Sequence, residues 1–480
     1  LSLFATDSRE AVSPQAETNA VASTSDLNFM LHSRFCCQWG NTLSSTLLRF
    51  PLADHKKVFA IALPMILSNI AAPMLGLVDT AIIGHLPDAI YLSAVAIGAM
   101  VVSFIFLLAV FLRMATTGYI AQSFGANDRA AQRQHFNHGL LLAVLLGSAI
   151  GLGSPWIIDF AMWIVHPDTQ LIPLASNYIG IRLWSAPAAL ITLITLGVLL
   201  GRQQSGRAMW LAIITNGVNV VMDVILILGL GMNVKGAAWA SFSADYVTAA
   251  VGLYWCARAL NWSPTSIHIK FNALRQYASV NGNIFIRSLV LQLCMATMTG
   301  YAARYGSTVV AVNAVLMQFL MLISLGLDGI AYAVEALTGA AKGQRNPHKV
   351  AYWCRLTLLW SCSFAIAYTL LFWLFGPAII GLITDIPEVI TTAAQYLPWI
   401  VLLPLIGHWS YWFDGVFIGL SLSKGMRNTM ILAAAFGFLP LWWLGLPLQN
   451  HGLWMALSGF LLMRGVFQAL WLRLRWRQII

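Results

Sequence analysis

The fold is decided by apolar stretches such as residues 63–85, LPMILSNIAAPMLGLVDTAIIGH. This stretch contains no lysine, arginine or glutamate, and one acid, Asp79, so it can cross a bilayer as a helix of about 20 residues. Similar runs recur along the 480-residue chain, which is 59% hydrophobic and 9% charged, with a mean hydropathy of +0.75. Soluble domains contain about 25% charged residues. The composition therefore excludes a soluble protein and predicts an all-α polytopic membrane protein.

From Phe59 onward, apolar runs alternate with short polar loops and predict twelve transmembrane helices. The predicted spans are 57–84, 90–124, 132–164, 169–200, 207–230, 236–260, 272–304, 308–341, 347–380, 387–420, 427–447 and 452–472. Residues 1–50 are polar and show no apolar period, and we expect a disordered or non-native tail there.

The basic residues, which give the chain a net charge of +10, are concentrated in alternate loops. Cytoplasmic loops of membrane proteins are enriched in lysine and arginine, so both termini are predicted to be cytoplasmic. An even number of spans agrees with this topology. These loops and the C-terminus carry Arg129, Arg133, Arg202, Arg207, Arg258, Lys270, Arg275, Lys342, Arg345, Lys349, Lys424, Arg427, Arg473, Arg475 and Arg477.

An internal repeat appears when the chain is offset by 218 residues. The segment GVLLG at 197–201 then aligns with GVFIG at 415–419, and Gly125 aligns with Gly343. Each half holds six predicted spans, so the halves share one orientation and are related by a pseudo-two-fold axis along the membrane normal. The predicted domains are an N-lobe at 51–260, a cytoplasmic loop at 261–271 and a C-lobe at 272–480. Such a repeat favours a two-lobed transporter, although channels and scaffolds also contain repeats.

Polar residues inside the N-lobe spans are candidates for function, because charges in hydrocarbon are costly. Asp79 has no basic neighbour on its own span, and desolvation favours its protonated form, which allows proton exchange. Asn219 and Asp223 share one helix face, which favours a cation or proton site over simple helix packing. The alternatives are an Asp79 that is wetted at the interface and an Asn219 that only joins helices. Pro64 predicts a bend in the first span.

The C-lobe contains a second polar set, which is Arg287, Asp328, Glu335 and Asp414. An arginine opposite two acids predicts an internal ion-pair network, serving either as a structural lock or as a substrate contact. Arg113 and Arg464 also lie inside predicted spans, and the sequence offers no partner for them.

Enzyme signatures are absent from the sequence, including the Walker loop, HExxH, GxSxG and CxxC patterns. We therefore expect no enzymatic activity and no cofactor. The energy for transport would come from an ion gradient, unless the movement is passive.

At this point the chain resembles the multidrug and toxic compound extrusion (MATE) family. The resemblance rests on VDTAIIGH in span 1, the NxxxD of span 5 and GAAWAS at 236–241. FIRSL at 285–289, LDGIAYAVEALTG at 327–339 and FDGVFIG at 413–419 are similar to its DNA-damage-inducible protein F (DinF) branch. The resemblance covers about 55–475 in order.

The resemblance implies a twelve-helix, V-shaped antiporter that exports cationic or amphipathic compounds in exchange for H⁺ or Na⁺. It implies that Asp79 is the coupling acid of the first helix, which bends at Pro64. Asn219 and Asp223 match the N-lobe cation-site pair, while Tyr178 and Ser241 match neighbouring positions. Na⁺ at Asp79, Asn219 and Asp223 is an alternative to protons. A monomer in the bacterial inner membrane is also implied, with no nucleic-acid partner.

The main rival to an efflux antiporter is a flippase of the same superfamily, which would move a lipid or a lipid-linked saccharide. Many flippases have fourteen spans and a more cationic cavity, whereas this chain predicts twelve spans and an N-lobe with carboxylates. An integral membrane enzyme or a channel is less consistent with these features. The sequence identifies neither the exported compound nor the coupling ion.

Overall fold

The structure is a computed structural model that describes residues 50–84, 88–263 and 271–479, and within them every regular element is helical. The predicted tail, apart from Phe50, and residues 264–270 of the predicted inter-lobe loop lie outside the described residues.

The first half of the chain forms nine helices among the described residues. They are α1 (Leu52–Gly84), α2 (Ala89–Leu108), α3 (Phe111–Gly125), α4 (Arg129–Leu152), α5 (Ser154–Val165), α6 (Leu171–Leu183), α7 (Ala186–Gly201), α8 (Ser205–Asp223) and α9 (Asn233–Leu260). A π-helical segment, Val224–Gly229, follows α8.

The second half contains longer, less interrupted helices. They are α10 (Phe271–Arg304), α11 (Ser307–Gly343), α12 (Pro347–Ile383), α13 (Pro387–Gly419), α14 (Ser423–Ala433), α15 (Leu439–Leu444) and α16 (Asn450–Ile479). A π-helical segment, Ala434–Phe438, joins α14 to α15.

Within the described part of the chain, nine helical segments are long and apolar enough to cross a membrane, or ten if α6 and α7, bent by 47°, form one span. The two remaining predicted spans are helical too. One is α9, which carries Lys235, Asp245 and Arg258, and the other is divided between α14, a π-helical segment and α15. The all-α membrane class is confirmed, and the helices are consistent with twelve spans in two lobes.

Glycines related by the repeat make equivalent contacts in the two halves. A Cβ on Gly197 would meet the Arg113 carbonyl, and a Cβ on Gly415 would meet the Ala331 carbonyl 218 positions later. The helix N-caps repeat as well, since Asp128 accepts from the Ala131 amide at 2.9 Å and Asn346 from the Lys349 amide at 3.0 Å. The two lobes are thus built from one repeated helix packing.

The lobes join along a seam formed by the C-terminal ends of α3, α11 and α13. Gly125 lies against the carbonyl of Ala340, and Gly343 lies against the carbonyl of Gln122, which are the symmetry-related versions of one contact. Gln122 also donates from Nε2 to the Gly419 carbonyl at 2.9 Å. Only residues without a Cβ permit this approach of backbone to backbone.

The lobes separate toward the opposite end of the molecule. Two apolar clusters near the seam contain residues of both lobes, for example Ile61 with Val334, and Leu112 with Ile284. The two clusters at the other end are each confined to one lobe. The molecule therefore has a V shape that is closed at the seam, the end that the loop charges predict to be cytoplasmic.

Replacing Gly125 with valine should force the seam apart, because the added side chain would collide with the Ala340 backbone. We expect the distance between spin labels at Ala130 and Lys349 to lengthen by several ångströms, measured by double electron–electron resonance. Gly282→Val is the matched control, since a Cβ there meets nothing within 4 Å. An unchanged distance in Gly125→Val would contradict the seam contact.

Candidate functional site

The N-lobe brings together two acids and one asparagine from helices far apart in the sequence. Asp79 lies near the end of α1, and Asn219 and Asp223 lie one turn apart on α8. Asn219 and Asp223 are each only 1% exposed, and Asp79 is half-buried. We call these three residues the acid cluster.

The Asn219 amide bridges the two carboxylates of the acid cluster. In the amide orientation that satisfies its neighbours, Asn219 Nδ2 donates to Asp79 Oδ1 at 2.9 Å and to Asp223 Oδ2 at 3.0 Å. Its oxygen accepts from the Ser241 amide at 3.2 Å and from the Ser241 hydroxyl at 2.9 Å. The opposite orientation pairs Nδ2 with Ser241 Oγ and turns the amide oxygen toward both acids. That arrangement requires one acid to carry a proton.

An ion pair lies beside the acid cluster. Arg182 Nη1 donates to Asp245 Oδ2 at 2.6 Å and to the Ser185 hydroxyl at 3.0 Å. The same hydroxyl lies 2.7 Å from Asp245 Oδ2, to which it can donate. Tyr178, one turn before Arg182, interacts with it. Because Asp245 neutralises Arg182, the arginine does not balance the acid cluster by direct pairing.

A glycine on α2 leaves room for the Tyr178 ring. Gly98 lies directly under the Tyr178 ring, and a Cβ at this position would overlap the ring. The tyrosine is only 6% exposed. Gly98 is thus a positioning residue that sequence reasoning did not single out, because a glycine in an apolar helix carries no specific signal.

A neighbouring helix bonds the carbonyl that Pro64 leaves without its helical partner, while α1 runs as one helix from Leu52 to Gly84 and the bend at Pro64 stays a prediction. Pro64 lacks the amide that would bond the Ala60 carbonyl in a regular helix, and this carbonyl instead accepts from Ser205 Oγ at 2.7 Å. Asn216 Nδ2 donates to the Ala71 carbonyl further along α1 at 2.7 Å. Helix α8, which carries two residues of the acid cluster, therefore also bonds the backbone of α1 on both sides of Pro64.

The C-lobe polar set divides into two groups rather than forming one network. Asp414 on α13 pairs with Arg287 of α10 and Arg464 of α16. It also accepts from Gln468 Nε2 at 2.9 Å. Arg464, which had no predicted partner, is thus explained by tertiary packing.

Glu335 belongs to the second group, in which it forms an ion pair with Arg113 of the N-lobe. Its Oε2 lies 3.1 Å from Nη1 of Arg113, and the two side chains are 3% and 5% exposed. The Arg113 guanidinium also stacks on Tyr332, 4.6 Å from the ring centroid. Asp328 lies within electrostatic range of Arg113 and Arg287. The predicted pairing of Arg287 with Asp328 and Glu335 is replaced by this arrangement, because Arg287 and Glu335 face different neighbours.

The charges of the two lobes are balanced differently. The three acids of the C-lobe groups (Asp328, Glu335 and Asp414) lie near three arginines. Two of these, Arg287 and Arg464, belong to the C-lobe, and Arg113 reaches the acids from the N-lobe. In the N-lobe, no lysine or arginine of the described ranges forms an ion pair with Asp79 or Asp223. The acid cluster is therefore the unbalanced charge of the membrane-embedded interior.

A two-lobed helical membrane protein with buried acids in its lobes is typical of the class of membrane transporters. Comparison with known proteins agrees with this class. The family model described as MatE matches residues 64–225 and 284–443. The chain is 42% identical to DNA damage-inducible protein F of Escherichia coli K12 over 90% of this chain and 94% of that protein.

More distant relatives share the same framework. The multidrug export protein MepA of Staphylococcus aureus is 22% identical over 79% of this chain and 85% of its own length. A solved outward-facing structure of a multidrug resistance MATE family transporter of the MOP superfamily superposes with a TM-score of 0.76 and 24% identity, covering 88% of this chain and 96% of that one. The chain belongs to the MATE family, and its resemblance to the DinF branch is confirmed. It is a multi-pass membrane transporter protein.

Removing one partner of the inter-lobe ion pair should weaken the fold. Glu335→Gln leaves the Arg113 charge buried, and we expect a loss of about 3–5 kcal/mol in the free energy of unfolding, measured by thermal or denaturant melting in detergent. Glu388→Gln is the matched control, since Glu388 is exposed and its carboxylate accepts only from the Thr308 hydroxyl among the described residues. The double change Arg113→Met with Glu335→Met should recover most of the loss. Equal stability of Glu335→Gln and the control would show that the pair contributes little.

Proposed function

We propose that the chain is a secondary active multidrug efflux antiporter, which exports cationic or amphipathic compounds in exchange for protons. The observation that carries this proposal is the unbalanced charge of the acid cluster. Two carboxylates in an apolar lobe need a cation or a proton to offset their charge. A cationic substrate and protons therefore compete for the same charge, which is the requirement for exchange.

The amide orientation of Asn219 depends on what neutralises the two acids, and we assign that role to protons, with Na⁺ as the alternative. With both acids ionised, the amide nitrogen points at the carboxylates and occupies the position between them with a donor. A Na⁺ ion held by Asp79, Asn219 and Asp223 would need the amide oxygen there instead. When one acid is protonated, its hydroxyl can donate to the amide oxygen, and Nδ2 then bonds Ser241 Oγ at 2.9 Å. Asn219 and Ser241 thus act as positioning residues that respond to the protonation state.

Protonation is proposed to change the shape of α1. The acid cluster joins α1 to α8 through Asp79 and Asn219, and α8 also supports the Pro64 bend through Ser205. When the hydrogen bonds between Asp79 and α8 weaken, the C-terminal part of α1 is free to move. The part near Pro64 stays bonded to α8 through Ser205. The bend then alters the N-lobe cavity and expels the substrate.

Alternating access also requires the seam to open and close. In the closed-seam state the V opens away from the loops that the positive-inside rule predicts to be cytoplasmic. This is the state in which protons enter and substrate leaves. A proton or a substrate shifts the equilibrium only through its different affinity for the two states. We further propose that the protein acts as a monomer in the bacterial inner membrane with both termini cytoplasmic.

Proteoliposomes test the coupling directly. Efflux of a fluorescent cationic dye is measured with a pH gradient and, in parallel, with a Na⁺ gradient. We expect transport on the pH gradient, background transport in Asp79→Asn, and unchanged transport in Asp159→Asn, whose carboxylate is exposed on α5. Full proton-driven transport by Asp79→Asn at equal reconstitution would overturn the mechanism.

The alternative function, a lipid or lipid-linked saccharide flippase, has its own outcome in this assay. No dye movement under either gradient, with folded and inserted protein, would transfer the assignment to a flippase. Transport on the Na⁺ gradient alone would retain the antiporter and change the coupling ion.

The two serines of α9 provide a matched pair for the role of the amide bridge. Ser241 contacts Asn219, whereas Ser243 bonds its own helix at the Trp239 carbonyl, 2.8 Å away. Ser241→Ala should lower proton-driven transport about fivefold, as expected from the loss of one hydrogen bond of about 1 kcal/mol. Ser243→Ala should transport as the unchanged protein does. Equal rates for both variants would remove Ser241 from the mechanism.

A further inference from the structure

A groove on the side of the C-lobe takes no part in the polar sites described above. It lies between α12, α13 and α16 and has a volume of about 200 Å³. One wall is aromatic and is formed by Trp409, Trp412, Phe413 and Trp476. The groove therefore offers flat, apolar surfaces to whatever occupies it.

The α16 wall of the groove is a straight stripe along one helix face. It consists of Leu462, Val466, Ala469 and Arg473, which follow one another at helical spacing. Leu462 and Val466 are 46% and 40% exposed, so the stripe faces the surroundings of the lobe and not its core. At a rise of about 1.5 Å per residue the stripe is about 16 Å long, close to half the hydrocarbon core of about 30 Å. The groove thus extends across about one leaflet.

A cation marks one end of the groove. Arg473 is exposed and is the charged residue among the described groove-lining residues, and no acid lines the groove with it. Arg475, two residues further, adds a second exposed positive charge at the same end of α16, stacked on Trp471 at 5.1 Å. Guanidinium groups bind phosphate strongly. The apolar groove is about as long as one leaflet is thick, and it ends at the positive charges of Arg473 and Arg475. This arrangement is complementary to an acyl chain with an anionic headgroup.

We propose that this groove is a binding site for an anionic phospholipid. One acyl chain lies against the aromatic wall, and the phosphate-bearing headgroup lies at Arg473. The excess positive charge at this end of α16 selects a net negative lipid over a zwitterionic one. The site is independent of the acid cluster, which lies in the other lobe.

Native mass spectrometry of the detergent-purified protein tests the site, with dioleoyl phosphatidylglycerol or dioleoyl phosphatidylcholine added as the probe. The unchanged protein should retain phosphatidylglycerol in preference to phosphatidylcholine. Arg473→Gln should lower phosphatidylglycerol retention about fivefold. Arg475→Gln is the matched control, because it removes the same charge nearby without touching the groove, and it should cause a smaller loss.

A second variant tests the groove separately from the charge. Ala469→Phe fills the apolar channel and leaves both arginines, so it should lower retention of the anionic lipid as well. Equal retention of the two lipids by the unchanged protein would overturn the proposal. Loss in Arg473→Gln with full retention in Ala469→Phe would also overturn it, since the lipid would then be held outside the groove. Melting temperatures of all variants establish that they are folded.

Discussion

The contact on which the rest of the structure depends is the close approach of the two lobes at Gly125 and Gly343. Each glycine lies against a backbone carbonyl of the other lobe, and the two contacts are related by the internal repeat. Because the lobes touch backbone to backbone there, side chains on either side of the seam are brought into register. The buried pair of Arg113 and Glu335 is a consequence, since it joins helices of different lobes just inside the seam.

The same arrangement separates two kinds of buried charge. In the C-lobe and at the lobe interface, arginines and acids neutralise one another, which makes burial tolerable and fixes the relative rotation of helices. In the N-lobe, Asp79 and Asp223 contact each other and the Asn219 amide, with no arginine or lysine of the described residues paired to them. These two acids are therefore the buried carboxylates that no arginine or lysine of the described residues neutralises by direct pairing. The two lobes thus differ in whether their buried carboxylates are paired with arginines.

The backbone around the acid cluster contains irregular features. Two prolines interrupt α1, and a π-helical segment follows α8 directly after Asp223. The Ala60 carbonyl, which Pro64 leaves without its helical partner, accepts a hydrogen bond from Ser205 Oγ instead. The acid cluster lies between these irregular segments.

The sequence by itself determined the membrane class, the helical segments, the repeat and the residues of the acid cluster. The length of the hydrophobic stretches and the four-residue spacing of Asn219 and Asp223 are local properties, which a chain displays before it folds. Only the tertiary structure decided the partners of Arg113 and Arg464, the direct pairing of Arg287 with Asp414, and the contacts of Ser205 and Gly98. These depend on how helices rotate and approach one another, and ion pairs between residues 50 to 222 positions apart leave no spacing signal in the chain.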